Sequence, residues 1–345
     1  MTERGSIPRR INRRRFLQIS ATAVAGAVLP ALDAASRPPL HVRRGVLLGA
    51  ETELQLYHPD VQTARTAIDA CFSEVHRLET IFSLQRPDSA LSRLNRAGSL
   101  SNPPVELVAL LDTAAGFSRA TGGAFDVTVQ PLWELYARHF AAVTADPNGP
   151  APSDIRRALA CVDYRQVEVS RTLVAFNQLG MAVTLNGIAQ GFVTDRVTEM
   201  LRDRGFEHVL VNMGEMRALR GHPDGTPWRV GIADPEQPWR SLDTLPLLDR
   251  AIATSGGYGT LFDAEGRHHH LFDPQTGTSP HYYRSVSVIA PDATTADALS
   301  TGLSVLAPEA ALPVVRARRE VSAIFIGSDG KTWGREYRSR AFRIA

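Results

Sequence analysis

The sequence predicts an α+β fold of mixed, largely antiparallel sheets with packed helices. Short apolar runs with period-two alternation are separated by hairpin-length turns, helical periodicities fall between them without a steady βαβ rhythm, and no internal repeat of fixed period organises the chain. At 345 residues, 43% hydrophobic and 21% charged, the chain is long enough for one large core or two smaller ones.

The N-terminus stands apart from that pattern. Arg9, Arg10, Arg13, Arg14 and Arg15 precede an apolar run from Ile19 to Leu32, too short to cross a bilayer comfortably and shaped like a signal peptide. Within it NRRRFLQ (Asn12 to Gln18) resembles the twin-arginine export signal. Residues 1–35 are therefore expected to be a targeting segment, cleaved near Ala34 or Ala35, that sends the mature chain to the periplasm. Removing residues 1–34 takes six arginines and two acids from 38 basic and 36 acidic residues, leaving 32 against 34. A near-neutral mature chain has no electrostatic footprint for nucleic acid, and no basic arm or zinc-finger spacing appears. The one lysine, Lys331, excludes most Schiff-base schemes. Cys71 and Cys161 read as buried free thiols, because Cys71 falls on the apolar side of a helical pattern and two cysteines make no disulfide framework.

Along the mature chain, alternation over Val46–Tyr57 predicts an extended segment. Apolar residues at Ile68, Phe72, Val75, Leu78 and Phe82 predict a helix over 61–82. Phe82 to Asn95 reads as a long polar loop. Pro104 and the Gly122-Gly123 pair bracket a second amphipathic helix. The polar, Pro-rich stretch at 144–154 predicts a surface loop, and the region 141–153 is the best place for an internal boundary. Strands are expected at RQVEVS, LVAFN, MAVTL, HVLVNMG, RALRGH, WRVGIA, AIATSG, SVSVIA and SAIFIG, with helices from Ile188 to about Arg204 and from about Thr295 to Leu306.

Some of these segments could carry chemistry. Asp297 and Thr301 are four apart after Thr294 and Thr295, which are plausible N-caps, so carboxylate and hydroxyl share one helix face. Such a pair could hold Mg²⁺ against phosphate oxygens, although an acid near a helix start also simply complements the dipole. TLNGIAQG (Thr184 to Gly191) is a glycine-containing strand-to-helix turn that permits close backbone approach to a phosphate, without the spacing of a dinucleotide fingerprint or a P-loop. The segments Val211–Gly221 and Ala253–Gly259 are glycine-interrupted strands that fit either a bulge or a ligand-facing backbone. Three consecutive histidines, 268 to 270, stand before an Asp-Pro turn.

In chain order these stretches resemble the FAD:protein FMN transferase family of ApbE-like proteins, from about Leu48 to Leu306. The matches are Ser83, Ser89 and Asn95; Gly123 to Leu132 as Gly-Ala-Phe-Asp-x-Thr-x-x-Pro-Leu; Gly187 to Gly191 as Gly-Ile-Ala-x-Gly; Asn212 and Gly214; Thr254 to Gly256; His270 to Gly277; and Ala296 to Thr301. The resemblance implies an ApbE-like, T-fold-related architecture over 36–345. It also implies an enzyme that binds FAD with Mg²⁺, splits the pyrophosphate and transfers FMN to a threonine or serine hydroxyl of an acceptor flavoprotein.

Carried over residue by residue, Asp297, Thr301 and the Ala189 carbonyl would be metal ligands, and His270 and Asp273 catalytic. Ser83, Asn95, Asp126, Asn186, Gly187, Ala189, Gln190, Gly214, Thr254, Ser255, Gly256 and Thr276 would contact the flavin nucleotide, while His268 and His269 would be incidental. The export signal suits an acceptor that is a membrane subunit facing the periplasm, as in the exported NosX-like members. The chain departs from the family at Thr184, Asn186 and Gln190, where a carboxylate and a lysine are common, at Gln85, where an aromatic is common, and at Gly257, where an aspartate is frequent. An FAD pyrophosphatase releasing FMN and AMP, or a flavin binder without transfer activity, would use the same site.

Overall fold

A computed structural model describes residues 37–237 and 240–335; the targeting segment expected over 1–35 lies outside the described residues. Strands β1 (Leu40–Leu47) and β2 (Ala50–Tyr57) pair antiparallel around Leu48 and Gly49, both at positive φ. That is the conformation of a tight two-residue hairpin turn. Leucine rarely occupies it, which is why the alternation from Val46 reads as one strand. Helix α1 (Val61–Phe82) has the expected bounds; Asp60 caps it by accepting from the Thr63 N–H at 2.6 Å, and Ile68, Cys71, Phe72, Val75 and Leu78 form its buried face.

The polar loop expected next contains α2 (Ala90–Ala97), capped by Ser89, whose Oγ accepts from the Ser92 N–H at 3.0 Å. Leu91 and Leu94 bury this short helix, which Gly98 ends in the left-handed conformation. Then follow β3 (Ser99–Ser101), α3 (Val105–Ala120), α4 (Gln130–Phe140), α5 (Pro152–Leu159), β4 (Val167–Val169) and β5 (Leu173–Phe176). β3, β5 and β4 form a small antiparallel sheet, whereas Met181–Leu185, expected as a strand, is irregular. The loop at 141–151 is not a boundary between cores, because Leu132 and Tyr136 before it pack with Ile155, Leu159 and Phe272 after it.

The second half runs α6 (Ala189–Asp203), β6 (Val209–Asn212), β7 (Met216–Leu219), β8 (Trp228–Ala233), β9 (Ser241–Leu247), β10 (Ala251–Ser255), β11 (Tyr283–Ala290), α7 (Ala293–Ser304), α8 (Pro308–Arg316), β12 (Ser322–Gly327) and β13 (Thr332–Arg335). The principal sheet has eight strands in the order β1-β2-β6-β7-β10-β11-β12-β13, each neighbouring pair antiparallel. Side chains alternate across it as pleating requires. Val209, Val211, Ala253, Val286 and Val288 face the helical layer of α1, α6 and α7, while Leu210, Ala218, Ile252 and Ile289 meet Trp228, Val230 and Leu247 of the β8-β9 hairpin. No described helix is long and apolar enough to cross a membrane. Cys71 is buried and Cys161 only partly so, and both are free thiols.

The tightest junction lies between the starts of α6 and α7. A side chain on Gly191 would run into the Ala293 carbonyl, with Ala293 C at 2.7 Å and Thr294 Cα at 2.8 Å. Across this contact the helices cap one another. The Gly191 N–H donates to Asp297 Oδ2 at 2.9 Å, and Asp195 on α6 accepts from the N–H groups of Ala293 and Thr294 at 2.8 Å each. The expected caps Thr294 and Thr295 are instead within the first turn; Asp292 is the N-cap residue, accepting from the Thr295 N–H at 2.7 Å. Because backbone, not a flexible side chain, meets the glycine, Gly191→Ala is expected to cost about 1–3 kcal/mol. Thermal unfolding of the variant measures this, and an unchanged melting temperature would show that the helices can move apart without loss.

Candidate active site

The helix pair forms the floor of a cleft of about 1080 Å³, open to solvent. α6 begins at Ala189, two residues after Gly187; the Ala189 N–H bonds the Leu185 carbonyl and the Gly191 N–H bonds Asp297, while the positive dipole end of the helix faces the space where an anion would sit. α7 contributes Asp297 and Thr301 from one face, four residues apart. Thr301 is held between backbone and hydroxyl. A Cβ on Gly187 would lie 2.8 Å from Thr301 Oγ1, and Ser255 Oγ sits 3.3 Å from the same atom while bonding Ser300 Oγ at 2.8 Å.

Asp297 is 3% exposed, and burial, opposed by the Gly191 N–H and reinforced by Asp195, pushes its carboxyl up to about 7. A second carboxylate, Glu215, faces the same cleft at 8% exposure. Burial first and the charge of Asp297 second drive its pKa well above the usual carboxylate range, against the Thr254 backbone N–H. Arg217, two residues on, is committed to Asp195 at 2.7 Å and Glu199 at 3.7 Å. Sequence reading missed Glu215 because it sits in a glycine-interrupted strand pair with no spacing signal. Gln190 also faces the cleft; its Nε2 is buried with no hydrogen-bond partner, and Gly214, at φ 110°, leaves room for it.

Beside the first cavity lies a second of about 1010 Å³, bounded by Leu48, Phe82, Ser83, Gln85 and Ala189. Gln130, Trp133, Asn186 and Gln190 border both. Two adjoining chambers that share a polar waist suit a ligand with two bulky ends joined by a charged link. Trp133 escaped sequence reading because it lies within an amphipathic helix, where an aromatic reads as core. Here it forms an edge contact with Phe262 at 5.9 Å and faces the chambers.

The remaining expected residues divide. Asp126 and Thr254 border the cleft, but the Asp126 carboxylate serves the N–H and hydroxyl of Thr128 and the N–H of Tyr164, and Thr254 Oγ1 bonds Ser287 Oγ at 2.8 Å. Asn95 lies outside it, bridging the backbone of Val183 with 2.8 Å bonds in both directions. Gly256 packs against Tyr258 and the Arg284 carbonyl. Asp273 and Thr276 form a turn away from the cleft, in which Asp273 accepts from the Gln275 N–H at 2.8 Å and the Thr276 hydroxyl at 3.2 Å. Their contribution is to the loop that carries His270.

The three histidines have three environments. His268 packs on Tyr136 and Phe140, with ring centroids 5.6 and 5.1 Å away. His269, expected to be incidental, is a buried strut: Nε2 donates to the Pro280 carbonyl at 3.0 Å and Nδ1 accepts from the Leu271 N–H at 3.3 Å. Burial above all pushes it down to about 3. His270 faces the cleft, with Nδ1 3.4 Å from the Thr260 carbonyl, and burial lowers its pKa to about 4. A carbonyl can only accept, so the proton is on Nδ1 and Nε2 keeps its lone pair.

The match to known proteins spans the region that carries these residues. The model described as the ApbE family covers residues 48–325 of this chain. The chain belongs to the ApbE family. It is 30% identical over 309 residues to the FAD:protein FMN transferase of Treponema pallidum, covering 83% of this chain and 84% of that one. It is 33% identical over 294 residues to the enzyme of that name from Vibrio cholerae, covering 82% and 85%. Among solved structures it is similar to the apo Pseudomonas stutzeri flavinyl transferase ApbE, with TM-score 0.73 at 26% identity over 87% of this chain and 96% of that one. It is also similar to the Thermotoga maritima ApbE protein, with TM-score 0.76 at 28% identity over 89% and 99%.

The departure at Gly257 has a local cause. A Cβ there would lie 2.7 Å from His269 Cδ2, so the imidazole occupies the space that a larger residue at 257 would need. Gly257→Ala is expected to cost about 1–3 kcal/mol, and most of that cost should vanish in a His269→Ala background. A double-mutant cycle in denaturant measures the coupling; additive costs would separate the two positions.

Proposed function

We propose that this chain is an FAD:protein FMN transferase that works with Mg²⁺ in the periplasm, exported by the twin-arginine route, on the exposed threonine or serine of a membrane flavoprotein subunit. The observation that carries the reading is the buried Asp297–Thr301 pair laid against the glycine turn that opens α6, at the waist of a two-chambered cleft, in a member of the ApbE family.

The donor set suits a hard divalent cation. Asp297 and Thr301 share one face of α7, and Ala189 begins the adjoining helix, so the donors gathered at the helix junction are oxygens, as Mg²⁺ requires. Asp297, Thr301 Oγ1 and the Ala189 carbonyl would hold the ion, which when bound neutralises charge on the pyrophosphate.

The chain's own groups account for the rest. The positive dipole end of α6 and the side-chain amide of Gln190 bind phosphate oxygens. His270 Nε2 takes the proton of the acceptor hydroxyl as its oxygen bonds to the FMN phosphorus. The bond from that phosphorus to the bridging oxygen breaks, and AMP leaves with the bridging oxygen. A neutral imidazole suits this role, since His270 stays deprotonated down to about pH 4.

Incubating the mature protein with FAD, Mg²⁺ and an acceptor domain, then weighing the acceptor, is expected to give a phosphoester-linked FMN adduct that EDTA abolishes. Release of FMN and AMP without an adduct would favour the pyrophosphatase. Asp297→Ala is expected to abolish Mg²⁺-dependent turnover, and wild-type turnover would remove the metal assignment. His270→Ala should lower the transfer rate about 10²–10⁴-fold with a smaller effect on FAD affinity. At saturating Mg²⁺ the wild-type rate should show no acid limb near the ordinary imidazole value of 6.5, because burial lowers this group; a limb there that disappears in His270→Ala would refute the neutral-base role.

A further inference from the structure

Of the three buried carboxylates that border the cleft, Asp126 is spent on Thr128 and Tyr164, and Asp297 and Glu215 have no protein cation. Asp297 has the Gly191 N–H and Glu215 has the Thr254 N–H, while Arg217 is taken by Asp195 and Glu199. Tyr258 lies close enough to feel the charge of Glu215, yet its hydroxyl makes no hydrogen bond. A buried pair of like charges is costly, and in isolation one member takes up a proton. A third polar group argues for a ligand rather than a proton alone. Gln190, which borders the same space, is 6% exposed, and its amide Nε2, buried against Gly214, lacks an acceptor. A cation that bridges both carboxylates to a phosphate would meet all three demands.

We propose that Glu215 is a second carboxylate of the divalent-cation centre, sharing with Asp297 the charge of the ion. This rests on the transferase reading, which assigns the ion to Asp297, Thr301 and the Ala189 carbonyl and gives Glu215 no role. Its position is set by the turn between β6 and β7, where Gly214 lets the chain reverse and the Glu215 carbonyl accepts from Thr194 Oγ1 at 3.0 Å. Strand and α6 together therefore aim the carboxyl at the cleft.

The test uses the mature protein without FAD and titrates it with MgCl₂ or MnCl₂ by calorimetry, alongside Glu215→Gln, Glu215→Asp and Asp297→Asn. Wild type is expected to bind one divalent ion saturably, and Glu215→Gln to bind it at least about tenfold more weakly. Glu215→Asp should recover some of the loss. In EDTA, Glu215→Gln should melt at a higher temperature than wild type, because it removes one of two like charges from the cleft, and added Mg²⁺ should raise the wild type more than the variant. A folded Glu215→Gln that binds Mg²⁺ as wild type does, with Asp297→Asn impaired, would overturn the proposal and leave the metal reading standing. Wild-type binding in both variants, or none in the wild type, would overturn the two together.

Discussion

The site depends on two helices beginning at the same point. Helix starts repel one another through their dipoles and leave N–H groups without partners, so joining two of them inside a protein needs compensation. Here each is supplied by the other: Asp195 of α6 accepts from the first turn of α7, and Asp297 of α7 accepts from the first turn of α6. Each such cap is worth about 0.5–2 kcal/mol, and Gly191 permits the approach that lets both form. The arrangement fixes Asp297 and Thr301 over the glycine turn, with the positive dipole end of α6 turned toward the cleft. Arg217, donating to Asp195 from β7, ties the junction to the sheet.

Much of this was legible in the sequence because it is periodic or punctuated. The bounds of α1 follow from its apolar spacing, and Gly187, Asp297 and Thr301 could be linked through motif order. What escaped was set by tertiary contact. The β1-β2 turn uses a leucine at positive φ, and α2 hides two buried leucines among polar residues. Strand β9 contains Pro246, which lowers its strand signal, but it pairs in a two-stranded ribbon where a missing N–H donor is tolerated. Glu215 carries no local signature, since only folding brings the β6–β7 turn against α6 and into the cleft that Asp297 borders. The converse has the same origin: Asn95, Asp273 and Thr276 belong to motifs, yet Asn95 bridges the Val183 backbone and Asp273 accepts from the Gln275 N–H and the Thr276 hydroxyl, away from the residues that border the cleft.

The histidine run shows how one residue type divides among roles within three positions. In an irregular segment successive side chains point in different directions, so 268 meets an aromatic cluster, 269 a carbonyl and an N–H, and 270 the cleft. All three are shifted toward the neutral form, chiefly by burial. None adds positive charge near phosphate at neutral pH, so oriented N–H groups and any bound cation must supply it.

That shortage connects the departures from the family pattern. Where a lysine is common in the family, Gln190 offers a donor without charge, and it lies against Gly214, the neighbour of Glu215. An ammonium there could have answered the Glu215 carboxylate directly; an amide cannot. Thr184 removes a negative charge as Gln190 removes a positive one, and among the described residues no Lys or Arg side chain borders the cleft to answer Asp297 and Glu215. With Thr184 and Gln190 in place of the family's carboxylate and lysine, this part of the cleft presents neutral hydrogen-bonding groups and a helix dipole to the ligand it holds.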